Sequence, residues 1–171
     1  MIYRLAKPGD EKALTELIRK FRSEIARMRG RPGSYTSEEA RRELTEDLSQ
    51  ERFIIYVAEE ETLSGYCVFK DEERTVWMEQ LFVDPACRRK GIARQFVTIG
   101  EALAESRGQE TLFFWVHPDN RVMLSFLKST GYDVLNLIEI RRRRNGETCP
   151  DRVEMFGHTL YYGKGPGNEG G

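Results

Sequence analysis

The sequence predicts an α+β fold, a mixed and mostly antiparallel sheet of about seven strands flanked by about four helices. Three observations predict it. Strand-like apolar segments at 53–58, 63–70 and 74–84 are separated only by the acidic turns Glu59-Glu60-Glu61 and Asp71-Glu72-Glu73, and links this short imply antiparallel neighbours. A helix-period stripe over 91–107 stands between the segments 74–84 and 111–116, and such a strand-helix-strand unit requires one parallel pair with a right-handed crossover. The 171 residues are 39% hydrophobic and 11% aromatic, enough for a real core, while 32% are charged, enough to solvate its outside.

Each element has its own signal. Residues 2–6 read as a short strand, after which Pro8-Gly9-Asp10 supplies a breaker and an N-cap. The helix that follows places Leu14, Leu17, Ile18, Phe21, Ile25 and Met28 at three- and four-residue steps, so one face is apolar, and it stops at Gly30. Gly30 to Gly33 is a loop. Thr36 with Glu39 three residues on is a capping box, opening a second helix through about Ser49. Its stripe of Ala40, Leu44 and Leu48 is narrow, which places it at the rim of a cleft. After the three-strand meander, the helix over 91–107 buries Ile92, Phe96, Ile99 and Leu103 and ends near Gly108. The segment 111–116 is apolar on both faces and reads as a doubly buried interior strand. A shorter helix after Asn120 turns Val122, Met123, Phe126 and Leu127 inward and ends at Gly131, and strands at 134–141 and 153–162 close the domain, which spans 1–162. The glycine-rich stretch 163–171 reads as a disordered tail.

Composition excludes several classes. The 27 Lys+Arg against 28 Asp+Glu leave a net charge of −1, so no global basic field draws the chain to nucleic acid or anionic lipid. No apolar run approaches the roughly 20 residues of a membrane-spanning helix, and residues 1–10 lack a leader's apolar stretch, so the expected location is the cytoplasm and no membrane partner is expected. Cys67, Cys87 and Cys149 are odd in number and show no CxxC spacing, and His117 and His158 stand apart from other ligand types. Neither a disulfide framework nor a metal site is expected.

The segment that carries chemistry runs from Trp77 to Ala93: a strand, a basic turn and a helix start. Backbone N–H groups at a helix N-terminus lack intrahelical partners and sit at the positive end of the helix dipole, so they can bind phosphate. Gly91 and Ala93 keep the approach open, and Arg88, Arg89 and Lys90 add charge suited to a diphosphate. The segment fits neither the Walker A pattern nor GxGxxG. Arg88-x-x-Gly91-x-Ala93 after the Leu81-Phe82-Val83 strand resembles the (Gln/Arg)-x-x-Gly-x-(Gly/Ala) acetyl-CoA signature of the GNAT superfamily of N-acetyltransferases. The order of elements around it, and the stretch from Asn120 to Gly131-Tyr132, are similar to the same family, so the resemblance covers about residues 1–162.

The resemblance implies a sheet splayed between its fourth and fifth strands. Acetyl-CoA would be the cosubstrate, its pantetheine arm pairing with the main chain of Leu81, Phe82 and Val83 and its pyrophosphate resting on the turn from Arg88 through Arg89, Lys90, Gly91, Ile92 and Ala93 to Arg94. Asn120 is first a helix N-cap and, as in similar proteins, a cofactor contact. Glu79, four residues before Val83, is the general-base candidate: an alkylamine with a pKa of about 10 must lose a proton before it attacks a thioester. In a regular strand Glu79 shares a face with Trp77 and Leu81, an apolar setting that raises a carboxyl's pKa. The chain departs from the family at Leu127, where a tyrosine often protonates the leaving thiolate, and at Met123, where alanine is usual; Ser125 is a nearby hydroxyl. Cys87 has no histidine beside it in sequence, which favours direct transfer over an acyl-cysteine route.

The function expected is therefore transfer of acetyl from acetyl-CoA to a primary amine of a small molecule or of a peptide or protein. The acceptor would enter between the first two helices, where Gly30 to Tyr35 forms a flexible wall, and the strand carrying Glu79; proteins of similar fold often form homodimers. Two other readings stand beside it. One is a non-catalytic acyl-CoA-binding sensor, which Leu127 permits; the other is an interaction module using the basic run Arg141 to Arg144, which lacks the interleaved aromatics of a single-strand nucleic-acid binder.

Overall fold

A computed structural model describes residues 1–30, 35–72 and 75–162. The expected wall at Gly30 to Tyr35 and the expected tail at 163–171 therefore fall mostly or wholly outside the described residues. Two compact units are present, one of Met1–Glu24 with Ser34–Trp115, the other of Ile25–Gly33 with Val116–Gly171.

The first unit holds a five-stranded sheet in the order β1-β2-β3-β4-β5: β1 Ile2–Leu5, β2 Phe53–Glu59, β3 Leu63–Glu72, β4 Thr75–Val83 and β5 Leu112–Phe114. The first three neighbouring pairs are antiparallel and β4 with β5 is parallel; the short links of β2-β3-β4 and the long crossover from β4 to β5 account for their orientations, while β1 reaches its antiparallel place beside β2 across a link that holds two helices. Helices α1 (Glu11–Met28) and α2 (Ser37–Leu48) cover one face of the sheet. Leu14, Leu17 and Ile18 of α1 and Ala40 and Leu44 of α2 are buried with Ile55, Val57, Tyr66, Val68 and Phe82. Leu48, the last residue of the narrow α2 stripe, stays exposed. The Thr36 capping box forms as the sequence requires: the Thr36 hydroxyl accepts the Glu39 N–H and the Glu39 carboxylate accepts the Thr36 N–H.

Helix α3 (Ile92–Ser106) covers the opposite face, packing on β3, β4 and β5. A Cβ on Gly100 would stand 2.5 Å from the Phe69 ring and 2.7 Å from Leu112, so only glycine lets the helix lie this close. The expected interior strand at 111–116 is shorter than its apolarity suggests: β5 is three residues long and is the last strand of the sheet, with Leu112 buried and Trp115 exposed. Trp77 of β4 covers one side of this segment, its ring tilted against Phe113 with centroids 5.1 Å apart and against Trp115 at 4.9 Å.

In the second unit, α4 (Arg121–Ser129) is capped by Asn120, whose Oδ1 accepts the Met123 N–H at 3.1 Å. Leu127 is buried; Val122, expected to face inward, is exposed. The strand expected at 134–141 does not form: the stretch is irregular and Val134, Leu135, Leu137 and Ile140 are exposed. Apolar alternation specifies a strand only where an edge is available to pair with it. The single strand expected at 153–162 is a hairpin, β6 (Asp151–Met155) against β7 (His158–Tyr162). Its turn residues Phe156 and Gly157 have φ of 52° and 78°, both left-handed, as a two-residue hairpin loop of the I′ kind requires. Phe156 hides that turn from a sequence reading, because asparagine, aspartate or glycine is the usual first residue. The seven strands among the described residues thus divide into a sheet of five and a hairpin of two, and not one sheet of about seven.

Candidate active site

Two local features of β4 build the site. The first is where its partner stops. β5 pairs with Val76, Trp77 and Met78 only, while β4 continues five residues further to Val83. The sheet therefore opens between β4 and β5 beyond Met78. On the other side, Asp84 N–H donates to Ser64 C=O at 2.9 Å, and main-chain direction alternates along an antiparallel ladder. With Tyr66 opposite Phe82 and Val68 opposite Gln80, the N–H and C=O of Phe82 face β3, and those of Leu81 and Val83 face the opening. Of the three residues expected to pair with a pantetheine arm, Phe82 therefore has its main chain already committed to the sheet.

The second feature is a bulge. Val68 pairs with Gln80 and the next residue, Phe69, pairs with Met78, so Glu79 is the extra residue of β4. The consequence is a change of face. Met78 lies with Phe69 on the α3 side, whereas Gln80 and Phe82 lie with Val68 and Tyr66 on the side of α1 and α2. The bulge also separates Glu79 from Leu81, contrary to the regular alternation expected: Leu81 lies opposite Cys67, on the α3 side, and the Glu79 carboxylate lies 3.9 Å from Lys70 Nζ. Lys70 also pairs with Glu72 and lies over the Trp115 ring. Burial pushes the Glu79 carboxyl above its ordinary range, against the opposing pull of Lys70.

Beside Glu79, a polar network that the sequence reading missed ties β4 to α2. Gln80 is buried; its Oε1 accepts from Tyr66 Oη at 2.8 Å, and its Nε2 donates to Glu43 Oε1 at 2.8 Å and reaches Asp47 Oδ2 at 3.4 Å. Glu43 also accepts from Tyr35 Oη at 2.8 Å and from the Arg22 guanidinium. Asp47 is pushed up to about 6, first by burial and then by the negative charge of Glu43. One signal could have found it: Glu43 and Asp47 are four apart on α2, next to the Ala40 and Leu44 stripe.

The turn after β4 is built by Asp84, whose Oδ1 accepts the Ala86 N–H and so closes a short 3-10 turn at Pro85–Cys87. Gly91 then takes φ 82° and serves as the N-cap of α3 with no side-chain hydrogen bond. The first N–H groups of α3 are left without intrahelical partners, facing a surface where Arg89, Lys90 and Arg94 are exposed. Arg88 differs from the expectation. Its Nε donates to Val83 C=O at 2.9 Å and its Nη2 to both Glu24 oxygens at 2.8 Å, so its guanidinium is already engaged with β4 and α1.

Residues 15–132 match the sequence model of the acetyltransferase (GNAT) family. The chain belongs to that family. The matched segment contains β4, its bulge, the turn and α3, and it ends before the β6–β7 hairpin. Several solved structures share the GNAT fold with it. A probable acetyltransferase aligns with TM-score 0.69 at 20% identity, over 84% of this chain and 97% of that one. An aminoglycoside 6′-N-acetyltransferase from Acinetobacter haemolyticus aligns with TM-score 0.69 at 16% identity, over 84% and 99%. The enzyme AAC(6′)-Iy, solved with a CoA-S-monomethyl-acetylneamine bisubstrate analogue, aligns with TM-score 0.63 at 17% identity, over 84% and 97%. At these identities the likeness is one of fold.

In this GNAT chain, Asn120 and Leu127 belong to the second unit and Glu79 and the turn to the first. His117 Nδ1 accepts the Asp119 N–H at 3.2 Å, a local loop contact. Ser125 is exposed. No group of three or more His, Cys, Asp or Glu side chains able to hold a metal is found among the described residues, and none of the described helices is long and apolar enough to cross a membrane.

Proposed function

We propose that the chain is an acetyl-CoA-dependent N-acetyltransferase that moves acetyl directly to a primary amine. The observation that carries this reading is the open side of β4 between Glu79 and Val83, which runs toward the N-terminus of α3, where Gly91 leaves the first amides without a side-chain cap. Main-chain groups that face an opening need partners, and the two amides of a pantetheine arm supply them. The residues present fit the cosubstrate in kind: the main chain of Leu81 and the N–H of Val83, whose carbonyl is taken by Arg88, would hold the arm, while the amides of Ile92, Ala93 and Arg94, with the side chains of Arg89 and Lys90, would take the pyrophosphate.

Glu79 would take the proton of the attacking amine. Its raised pKa brings it nearer the working pH of a general base, and the bulge aims it to the α1 and α2 side, where an acceptor would approach. A main-chain N–H at the opening would polarise the thioester carbonyl as charge develops on its oxygen. The carboxylates of Glu43, Asp47 and Glu79 share this side, which favours a cationic amine, and a small-molecule acceptor accords with the aminoglycoside acetyltransferases of like fold. A second reading, an acyl-CoA sensor without turnover, is favoured by Leu127, buried where similar proteins often place a tyrosine.

Calorimetric titration with acetyl-CoA tests the site, with Gly91 replaced by leucine as the control. CoA release against a panel of amines and peptides tests turnover. Glu79→Gln is expected to lower kcat by about 100-fold near neutral pH with acetyl-CoA affinity unchanged. An unchanged kcat and pH profile would remove Glu79 from the mechanism, and tight binding without CoA release would select the sensor.

A further inference from the structure

Arg88 opens the signature turn, and its charge alone assigns it to phosphate. The structure commits it elsewhere. Its guanidinium makes three contacts at once: Nε with Val83 C=O at 2.9 Å, Nη2 with both Glu24 oxygens at 2.8 Å, and the guanidinium carbon over the Phe82 ring at 5.6 Å. A second strap lies beside it. Lys20, one helical turn before Glu24 on α1, pairs with Asp84 at 2.7 Å, and Asp84 caps the 3-10 turn. Helix α1 thus grips both ends of the link between β4 and the basic turn. Val83 is buried and its carbonyl faces the opening, so without Arg88 that oxygen would lose its partner. Turning Arg88 toward a diphosphate would also abandon Glu24. Arg89 and Lys90 carry no such commitments: both are exposed and make no ion pair among the described residues.

We propose that Arg88 is a positioning residue for the pantetheine end of the cofactor site and not a phosphate ligand. It fixes the Val83 carbonyl and the end of β4 to α1, leaving the diphosphate to Arg89, Lys90 and the first amides of α3. The proposal rests on the acetyl-CoA reading above. It depends on the fork geometry of the guanidinium, which lysine lacks.

The test is calorimetric titration of CoA, and of ADP, which carries the diphosphate without the pantetheine arm. The proteins are wild type, Arg88→Ala, Arg88→Lys and Glu24→Gln. Arg88→Ala is expected to weaken CoA roughly tenfold while ADP stays within about twofold, since only the arm's strand is disturbed. Arg88→Lys is expected to do no better than alanine. Glu24→Gln is expected to weaken CoA about threefold and to leave ADP unchanged. A phosphate ligand behaves oppositely: alanine would weaken ADP, lysine would restore it, and Glu24→Gln, which frees the guanidinium, would tighten ADP. Any of those three results, or CoA affinity indifferent to Arg88, overturns the proposal. If Arg88→Ala does not fold, Glu24→Gln decides by the sign of its effect on ADP. If ADP binds wild type too weakly to measure, the salt dependence of CoA affinity decides: a slope unchanged by Arg88→Lys and Glu24→Gln supports positioning, and a steeper slope in Glu24→Gln overturns it. Failure of folded wild type to bind CoA would sink the acetyl-CoA reading itself.

Discussion

Replacing Gln80 with methionine, which has a similar length and no amide, puts the link between β4 and α2 under direct test. Gln80 satisfies a buried phenol on one side and a carboxylate on the other, with Tyr66 Oη and Glu43 Oε1 both at 2.8 Å. Tyr66 is 0% exposed, so its hydroxyl has no water to turn to once Gln80 is gone. A buried hydroxyl left unsatisfied costs about 1–3 kcal/mol and the lost bond to Glu43 a similar amount, offset by burial of the methionine, so the variant should lose about 3 kcal/mol. Tyr66→Phe alone leaves only a carbonyl oxygen short of a donor and should lose about 1 kcal/mol. The double variant removes both the phenol and the group that needed it, so its loss should be about 2 kcal/mol, which implies a coupling of about 2 kcal/mol. Urea unfolding of the four proteins measures this, with the midpoint shifting and the slope constant. Losses that add to within about 0.5 kcal/mol would refute the link.

Asp47→Asn should change stability in a pH-dependent way. The Asp47 carboxyl is held at about 6 in the folded chain, above its value of about 4 when unfolded, so the folded state binds more protons between those values and stability from this group falls as pH rises through them. The charge-free variant should therefore gain up to about 2 kcal/mol over wild type at pH 7 and nothing at pH 4, measured by urea midpoints at each pH; a pH-independent difference would refute the assignment. The two helix α3 glycines should separate steric from conformational cost. Gly100→Ala drives a Cβ to 2.5 Å from the Phe69 ring and should lose about 3 kcal/mol, whereas Gly91→Ala meets nothing within 4 Å and should lose only about 1 kcal/mol for its left-handed φ of 82°. Equal losses in thermal unfolding would contradict that division.

The acceptor-side network and the basic turn differ in how visible they are in sequence. The turn is contiguous: Asp84 through Arg94 is one run of chain whose helix cap, glycine and charges all act locally, so their types and spacing suffice to find it. The network joins positions 22, 35, 43, 47, 66 and 80, which come together only when α1 and α2 settle on the sheet. Arg88 shows the limit within the turn itself. Its place in the motif was legible, but its partner Glu24 lies 64 residues away, and only the packing of α1 turns the guanidinium toward Val83.

By itself the sequence determined the order of elements through α4, the antiparallel meander, the parallel β4–β5 pair, the α2 capping box and the family signature. Periodicity, caps and link lengths are local, and they act wherever the chain lies. Only the tertiary structure decided the bulge at Glu79, because a bulge exists only as a mismatch in length between two paired strands and no residue type within β4 marks it. It also decided the short β5, the irregular course of 134–141 and the β6–β7 hairpin, because an apolar run becomes a strand only when a neighbour accepts its main-chain hydrogen bonds.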